Sequence, residues 1–364
     1  MAARRLRITF VLPKIVRVPV GGFKVHYQYA NALASRGHAV AVVHPSTAGA
    51  VPSSRELAAF CVARAQRQLL GRPPLSWFAL DDAIRAIDVI RLTPAALPRA
   101  DVTVLTAWQT AERTVDCGDA TGRLLQIVYD YEHWKQDLAS RPRIERALTR
   151  PDVTRIAGSG AVARLLAEIG GPAIATVTAG LQTDEFGVDE PLAARRRTVT
   201  FALRPGPSKD MATAFAAVAA IGRRAPDVEI RCFGHPRLRA PDGVRHLGRL
   251  STGALRRCYN ETAVFMSTSR YEGWGLPVLE AMACGAAAVS TRNGGTEDFV
   301  RDAENGLLVA IGDPGAVAGA VVRLLDDPDY RLALAARGAM DAASMTLERS
   351  VDRLEELLRD AADH

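Results

Sequence analysis

The sequence predicts an α/β protein built of two doubly wound parallel sheets. Three observations carry this. The chain has 364 residues, and at roughly 150 residues per domain that length asks for two domains, or three. Short apolar runs alternate with amphipathic stretches, the order that builds a parallel sheet wrapped by helices. A polar, charged stretch from Asp184 to Arg197 divides the alternation into two series of comparable size.

Arg7 to Pro13 reads as a buried strand. A loop with Gly21 and Gly22 follows, then a helix from Phe23 to Ser35, with Ala30, Leu33 and Ala34 at helical spacing. Gly37 stands just past its end, where glycine terminates helices. Ala39–Val43 is a second strand and completes a βαβ unit. Strands are expected at Asp101–Leu105, Leu124–Tyr129, Thr154–Gly158 and Ala173–Val177, with a helix over Ala161–Ile169. Residues 48–75 and 81–97 carry no clear pattern.

After the charged stretch the second series begins. Thr198–Leu203, Val228–Phe233, Val264–Ser267, Ala286–Ser290 and Gly306–Val309 are its strands. Met211–Arg224, Pro277–Cys284, Ala316–Leu325 and Tyr330–Ala343 are its helices. Val351–Ala361 is a last amphipathic helix, with Val351, Leu354, Leu357 and Leu358 on one face. Open parallel sheets bind ligands outside the carboxyl ends of their strands, so two facing domains would hold a ligand in the cleft between them.

Composition excludes several classes. Apolar residues make up 48% and charged residues 24%, which fits neither a disordered chain nor a coiled coil. No run of 18 apolar residues marks a membrane-spanning helix. The amino terminus has a basic start, but Ile8–Leu12 is too short for a signal-peptide core. The five cysteines are scattered, with no metal-binding spacing, and fit a reducing compartment. The expected location is the cytoplasm, with peripheral contact at the inner face of a membrane left open. The net charge is +6, and of 46 basic residues only Lys14, Lys24, Lys135 and Lys209 are lysines. Basic residues are interleaved with acids along the chain, against a dedicated nucleic-acid face.

The strongest chemical signal is Tyr271 to Gly285, YEGWGLPVLEAMACG. Gly273 and Gly275 precede a helix whose first turn suits Pro277. A glycine loop entering a helix offers free amides and a positive dipole end, an anion site that needs no metal. Glu272 and Glu280 beside such a site would repel phosphate, so sugar or ribose hydroxyls are their natural partners. The same pattern would also serve a plain strand–loop–helix turn. Arg204 and Lys209 lie on the loop after a strand and can grip a pyrophosphate, with a fork and a point charge. Gly21-Gly22 lets backbone approach a ligand closely. Asn293-Gly-Gly-Thr-Glu297 is a glycine turn expected to precede a helix capped by Thr296, facing a ligand or serving as a plain turn. Polar and aromatic residues gather at Tyr129–Trp134, where His133 suggests a pocket or a structural role. His26, His38, His44, His235 and His246 are spread out, and no metal is assigned to them. No Ser/His/Asp elbow, HExxH or GxGxxG fingerprint is present.

Taken together, these residues resemble the retaining nucleotide-sugar glycosyltransferases of the GT-B fold, family 4, over most of the chain. Glu272 and Glu280 match that family's E-x7-E motif, and Arg204 and Lys209 its Arg…Lys spacing. Gly21-Gly22 with Arg36-Gly-His-Ala-Val40 matches its amino-terminal signature, and Asn305-Gly-Leu-Leu-Val309 its NGLLV strand. The resemblance implies two Rossmann-like domains, an acceptor-side one over residues 1–186 and a donor one over 187–345. Residues 346–364 would cross back to the first. It implies that Arg204 and Lys209 neutralise the donor diphosphate and act with Glu272 in catalysis. Amides of Gly273, Trp274, Gly275 and Leu276 would contact the donor, Glu272 its sugar, Glu280 its ribose, and Gly22 the diphosphate. The implied donor is a nucleoside-diphosphate sugar, with no metal or other cofactor and no nucleic-acid partner; acceptor and oligomeric state are not readable.

The amino-terminal domain departs from the pattern. The family commonly has a catalytic His where Tyr129 stands, and Asp130, Glu132 or His133 could substitute on the acceptor side. Asp130-Tyr-Glu132 with Thr106–Ala111 is closer to a rhamnosyltransferase-like branch, which implies a thymidine-diphosphate deoxysugar such as rhamnose. The alternative is a nucleotide-sugar-binding protein of the same fold with lost or different catalysis.

Overall fold

The computed structural model describes residues 4–363 except 17, 48–52, 70–74, 115–117 and 131–135. The chain divides into two compact units. One comprises Met1–Gly158, Val162–Thr178 and Glu348–His364; the other comprises Ser159–Ala161 and Ala179–Leu347.

The first unit is built on a parallel sheet of β1 (Arg7–Val11), β2 (Ala39–Pro45), β3 (Arg85–Val89), β4 (Val102–Leu105), β5 (Arg123–Val128), β6 (Val153–Ala157) and β7 (Ala175–Thr176). Its strand order is β3-β2-β1-β4-β5-β6-β7. The order reverses between β1 and β4, so the loops that follow those two strands part there and leave a crevice. Apolar side chains of β1, β4 and β5, among them Val11, Leu105 and Val128, pack with Trp108, Ile144 and Leu148 of flanking helices. The first helix is Gly21–Ser35, two residues earlier than the sequence predicts. Both glycines therefore sit in its first turn, with Val20 as N-cap, instead of in the preceding loop. Helix Ser54–Leu69 and strand β3 fall where no pattern was legible.

The second unit holds β8 (Thr198–Leu203), β9 (Glu229–Gly234), β10 (Val244–His246), β11 (Val264–Ser267), β12 (Ala287–Thr291) and β13 (Leu307–Val309). The order is β10-β9-β8-β11-β12-β13, again reversing beside its first strand, between β8 and β11. The Ala-rich helix Met211–Arg224 lies close on this sheet because its packed face carries Ala214, Ala217 and Val218. Helix Thr252–Asn260 and β10 are additions to the sequence reading.

The last helix, Leu347–Asp363, contributes to the first unit from Glu348 onward. Leu354 and Leu358 are buried, as the apolar face predicts. Its Glu355 is the fastening point: Arg36 Nη1 donates to Oε2 at 2.7 Å, and Arg359 Nη2 to Oε1 at 2.6 Å. The backbone N–H of Leu6 donates to His38 Nδ1 at 3.1 Å. That nitrogen is therefore unprotonated, and Nε2 carries the hydrogen it shares with Glu355 Oε1 at 3.1 Å. Among the described residues no helix is long and apolar enough to cross a membrane.

Burial alone would raise the Glu355 carboxyl, but the bonds from Arg36, Arg359 and His38 outweigh it and hold the group at about 2, against an ordinary 4.5. A folded-state value below the unfolded one stabilises the protein above pH 4.5, and that stability is lost as pH falls toward 2. Glu355→Gln should therefore lower unfolding stability at pH 7 by about 1–3 kcal/mol. Urea melts of both proteins should converge as the pH is lowered below 4.5. A gap independent of pH would contradict the ion-pair account.

Candidate functional site

Parallel strands deliver their following loops to one edge of a sheet, and β8, β11 and β12 are adjacent through β11. Their loops carry Arg204–Lys209, Thr268–Gly275 and Arg292–Gly295 to the same place. Arg204, Lys209, Ser269, Glu272 and Gly275 line one cavity there. Four of the residues expected to bind the donor thus meet in one unit.

Backbone hydrogen bonds fix the three loops to one another. Ser208 O accepts from Arg270 N at 2.8 Å. Glu272 N donates to Asn293 O, and Gly295 N to Glu272 O, both at 3.0 Å. A Cβ on Gly295 would lie 2.6 Å from Trp274 N, so only glycine lets the turn press against the Glu272–Trp274 backbone. The glycine turn after β12 is therefore a brace for the site. It is followed by a single 3-10 turn, Gly295–Asp298, with Gly294 at its N-cap, and not by the helix the sequence predicts. Thr296 is not the cap: its hydroxyl donates to Asn293 Oδ1 at 2.9 Å, inside the turn.

Helix Leu276–Ala283 starts from Gly275, whose φ of +98° is left-handed. A side chain there would also strike Thr296 Cγ2 at 2.4 Å. Among the described residues nothing accepts a hydrogen bond from the amides of Gly273, Trp274, Gly275 or Leu276. No acidic residue occupies the first turn of this helix. The helix end thus presents unpaired donors and its positive pole together. The Trp274 indole is not among the cavity-lining groups; it is buried against Phe299, with ring centroids 5.0 Å apart.

The charges are arranged in two layers. Lys209 Nζ pairs with Glu272 Oε1 at 2.7 Å, and Ser269 Oγ donates to the same oxygen at 2.7 Å. Arg204 is exposed and makes no ion pair with any described residue. Glu280 lies farther along the helix, where Oε2 accepts from the hydroxyl of Tyr259 at 3.1 Å. Tyr259 is fully buried, and burial foremost, then the Glu280 charge, drives its phenol well above the ordinary range, with Arg204 opposing. Tyr259 comes from helix Thr252–Asn260, and a lone Tyr on an amphipathic stretch gave no sign of this role.

The first unit has a pocket of its own, about 650 Å³, at its strand-order reversal. The loops after β1 and β5 supply Lys14 and Asp130, the helix Trp108–Arg113 after β4 supplies Trp108 and Gln109, and the first helix supplies Gly22 and His26. Gly22 is exposed, and a Cβ there would meet nothing within 4 Å. Tyr129, the residue in place of the expected histidine, is committed elsewhere: its hydroxyl donates to Tyr29 Oη at 3.1 Å, which donates to Thr178 O at 2.9 Å. Glu132 and His133 lie outside the described residues. His26, to which sequence reasoning gave no role, is 4% exposed and holds Nδ1 buried without a partner. Its position four residues after Gly22, on the same helix face, was the available signal.

Residues 196–327 match the family described as glycosyl transferases group 1. A D-inositol 3-phosphate glycosyltransferase of Thermomonospora curvata is 32% identical over 150 residues, covering 40% of this chain and 35% of that protein. The chain matches such curated relatives over little more than a third of their length or less. Sucrose-phosphate synthase from Thermosynechococcus elongatus superposes with a TM-score of 0.76 at 18% identity, covering 98% of this chain and 99% of that one. Anabaena Alr3699/HepE in complex with UDP-glucose gives 0.75 at 15% identity, covering 98% and 100%. The chain thus has the GT-B fold, with two Rossmann-like units, and its residues 196–327 form a glycosyl transferases group 1 domain.

Proposed function

We propose that this chain is a metal-independent glycosyltransferase that moves a sugar from a nucleoside diphosphate to an acceptor hydroxyl with retained anomeric configuration. The observation that carries the reading is the single cavity lined by Arg204, Lys209 and Glu272 beside four unpaired amides at a helix end. Such a constellation suits a diphosphate with sugar attached: cations and amides take the phosphates, and the carboxylate takes sugar hydroxyls.

In the reaction, the bond from the sugar C1 to the diphosphate oxygen breaks and the bond from C1 to the acceptor oxygen forms. Negative charge grows on the departing diphosphate, and preorganised donors that need no rearrangement stabilise it. Arg204 and Lys209 supply the compensating positive charge here, in the role a divalent ion fills in other nucleotide-sugar enzymes. Lys209 leaves the diphosphate and Glu272 joined, because its ammonium has donors for both. In the retaining course the acceptor attacks from the face the diphosphate leaves, and a phosphate oxygen takes the acceptor proton. The resemblance gives Glu280, whose Oε2 accepts from the Tyr259 hydroxyl, the ribose hydroxyls of the donor. The first turn of helix Gly21–Ser35, with Gly22 and no acidic residue, is a second end that favours phosphate. The UDP-glucose bound by the Anabaena neighbour makes UDP one donor nucleotide to test. A thymidine-diphosphate deoxysugar such as rhamnose rests on the resemblance at Thr106–Ala111 and Asp130 alone.

A thermal-shift panel of UDP, GDP, ADP and dTDP should show stabilisation by one nucleotide, equal with Mg²⁺ or EDTA. Stabilisation that requires Mg²⁺ would remove the metal-independent clamp. Lys209→Ala should lower the transfer rate by about 10²-fold or more while unfolding stability changes little. Wild-type turnover by that variant would end the assignment. Glu280→Gln should weaken binding of the stabilising nucleoside diphosphate by about tenfold, read by calorimetry, whereas its 2′,3′-dideoxy analogue should bind both proteins alike.

A further inference from the structure

The pocket of the first unit carries an inference that rests on the glycosyltransferase reading and extends it. We propose that His26 is an acceptor-binding residue: its neutral imidazole hydrogen-bonds a hydroxyl of an uncharged acceptor that carries an apolar or aromatic face. Four observations converge on this. His26 is buried and lines a pocket of about 650 Å³, a size typical of small-molecule sites. Its ring makes no hydrogen bond to any described residue, and Nδ1 is wholly buried. Burial penalises the imidazolium and pushes the group down to about 3, so the ring stays neutral at physiological pH. Tyr129 packs against it at 5.4 Å between ring centroids but spends its hydroxyl on Tyr29.

A neutral imidazole has one donor and one acceptor nitrogen, which matches a hydroxyl that can do both. The surrounding wall selects the rest of the ligand. Leu12, Val20, Phe23 and Trp108 are apolar, a wall that suits an apolar or aromatic part of the ligand. Among the described lining residues, Lys14 and Asp130 cancel in charge. A neutral acceptor is therefore favoured over a phosphorylated one.

The probe is 4-nitrophenyl β-D-glucopyranoside, which joins hydroxyls to an aromatic ring. Imidazole nitrogen NMR of the full chain, with His26 assigned through His26→Phe, should show a neutral ring whose nitrogen shifts move when the probe is added. His26→Phe should weaken the probe about tenfold. His26→Gln, which keeps a donor and an acceptor, should recover part of that loss. Both variants should bind the nucleoside diphosphate of the thermal-shift panel as the wild type does, which also reports that they fold. Equal affinity of wild type and His26→Phe, an unmoved His26 resonance, or no binding of the probe would overturn the proposal. So would tighter binding of glucose 6-phosphate than of the neutral probe. If no nucleoside diphosphate binds while the probe moves His26, the pocket stands and the donor reading fails.

Discussion

A carboxylate held beside the positive end of a helix governs the second unit. Glu272 must stay near a place that attracts phosphate without filling it. The structure achieves this by tying one oxygen, Oε1, to both Lys209 and Ser269. The pair is only partly exposed, with side-chain exposures of 25% for Lys209 and 16% for Glu272. Ser269 still donates to that oxygen when Lys209 is removed, so Glu272 keeps a hydrogen-bond partner without the cation. The surrounding loops serve that constraint: Ser208 holds Arg270, and the Asn293–Gly295 turn holds Glu272 from both sides.

Elements with a strong internal period were legible. Thr198–Leu203, Met211–Arg224 and Val264–Ser267 carry their burial in their own sequence and have the predicted bounds. Edge elements were not. Strand β3 (RAIDV) is half exposed, and β10 (VRH) has three residues, so neither needs an apolar run. The start of the first helix was misplaced because glycine reads as a loop former. At Gly21 and Gly22 the helix tolerates it, since the first turn depends least on internal bonds. Thr296 reads as a cap by residue type, yet Asn293 and Ser290 claim its hydroxyl within a buried network.

The candidate site was legible where its chemistry is concentrated in sequence. Glu272, Gly273 and Gly275 lie within one short loop, and Arg204 and Lys209 in another. Tyr259 and His26 were hidden because each acts through a tertiary neighbour. A tyrosine in an amphipathic helix does not announce that its hydroxyl meets Glu280, and a histidine in a helix does not announce that it lacks a partner.

The two units therefore solve opposite problems with the same topology. Each places its pocket at the reversal of strand order beside its first strand, β8/β11 in one and β1/β4 in the other. In the second unit the loops there bring charge, and stability is recovered by pairing it. In the first, apolar side chains line much of the pocket, and Nδ1 of His26, on the neighbouring helix, is left unpaired. An unsatisfied buried polar group costs about 1–3 kcal/mol. A phenylalanine at that position would avoid the penalty while keeping the ring against Tyr129. Retaining an imidazole there is thus a cost to folding that the fold does not itself require, and a bound hydroxyl would remove it.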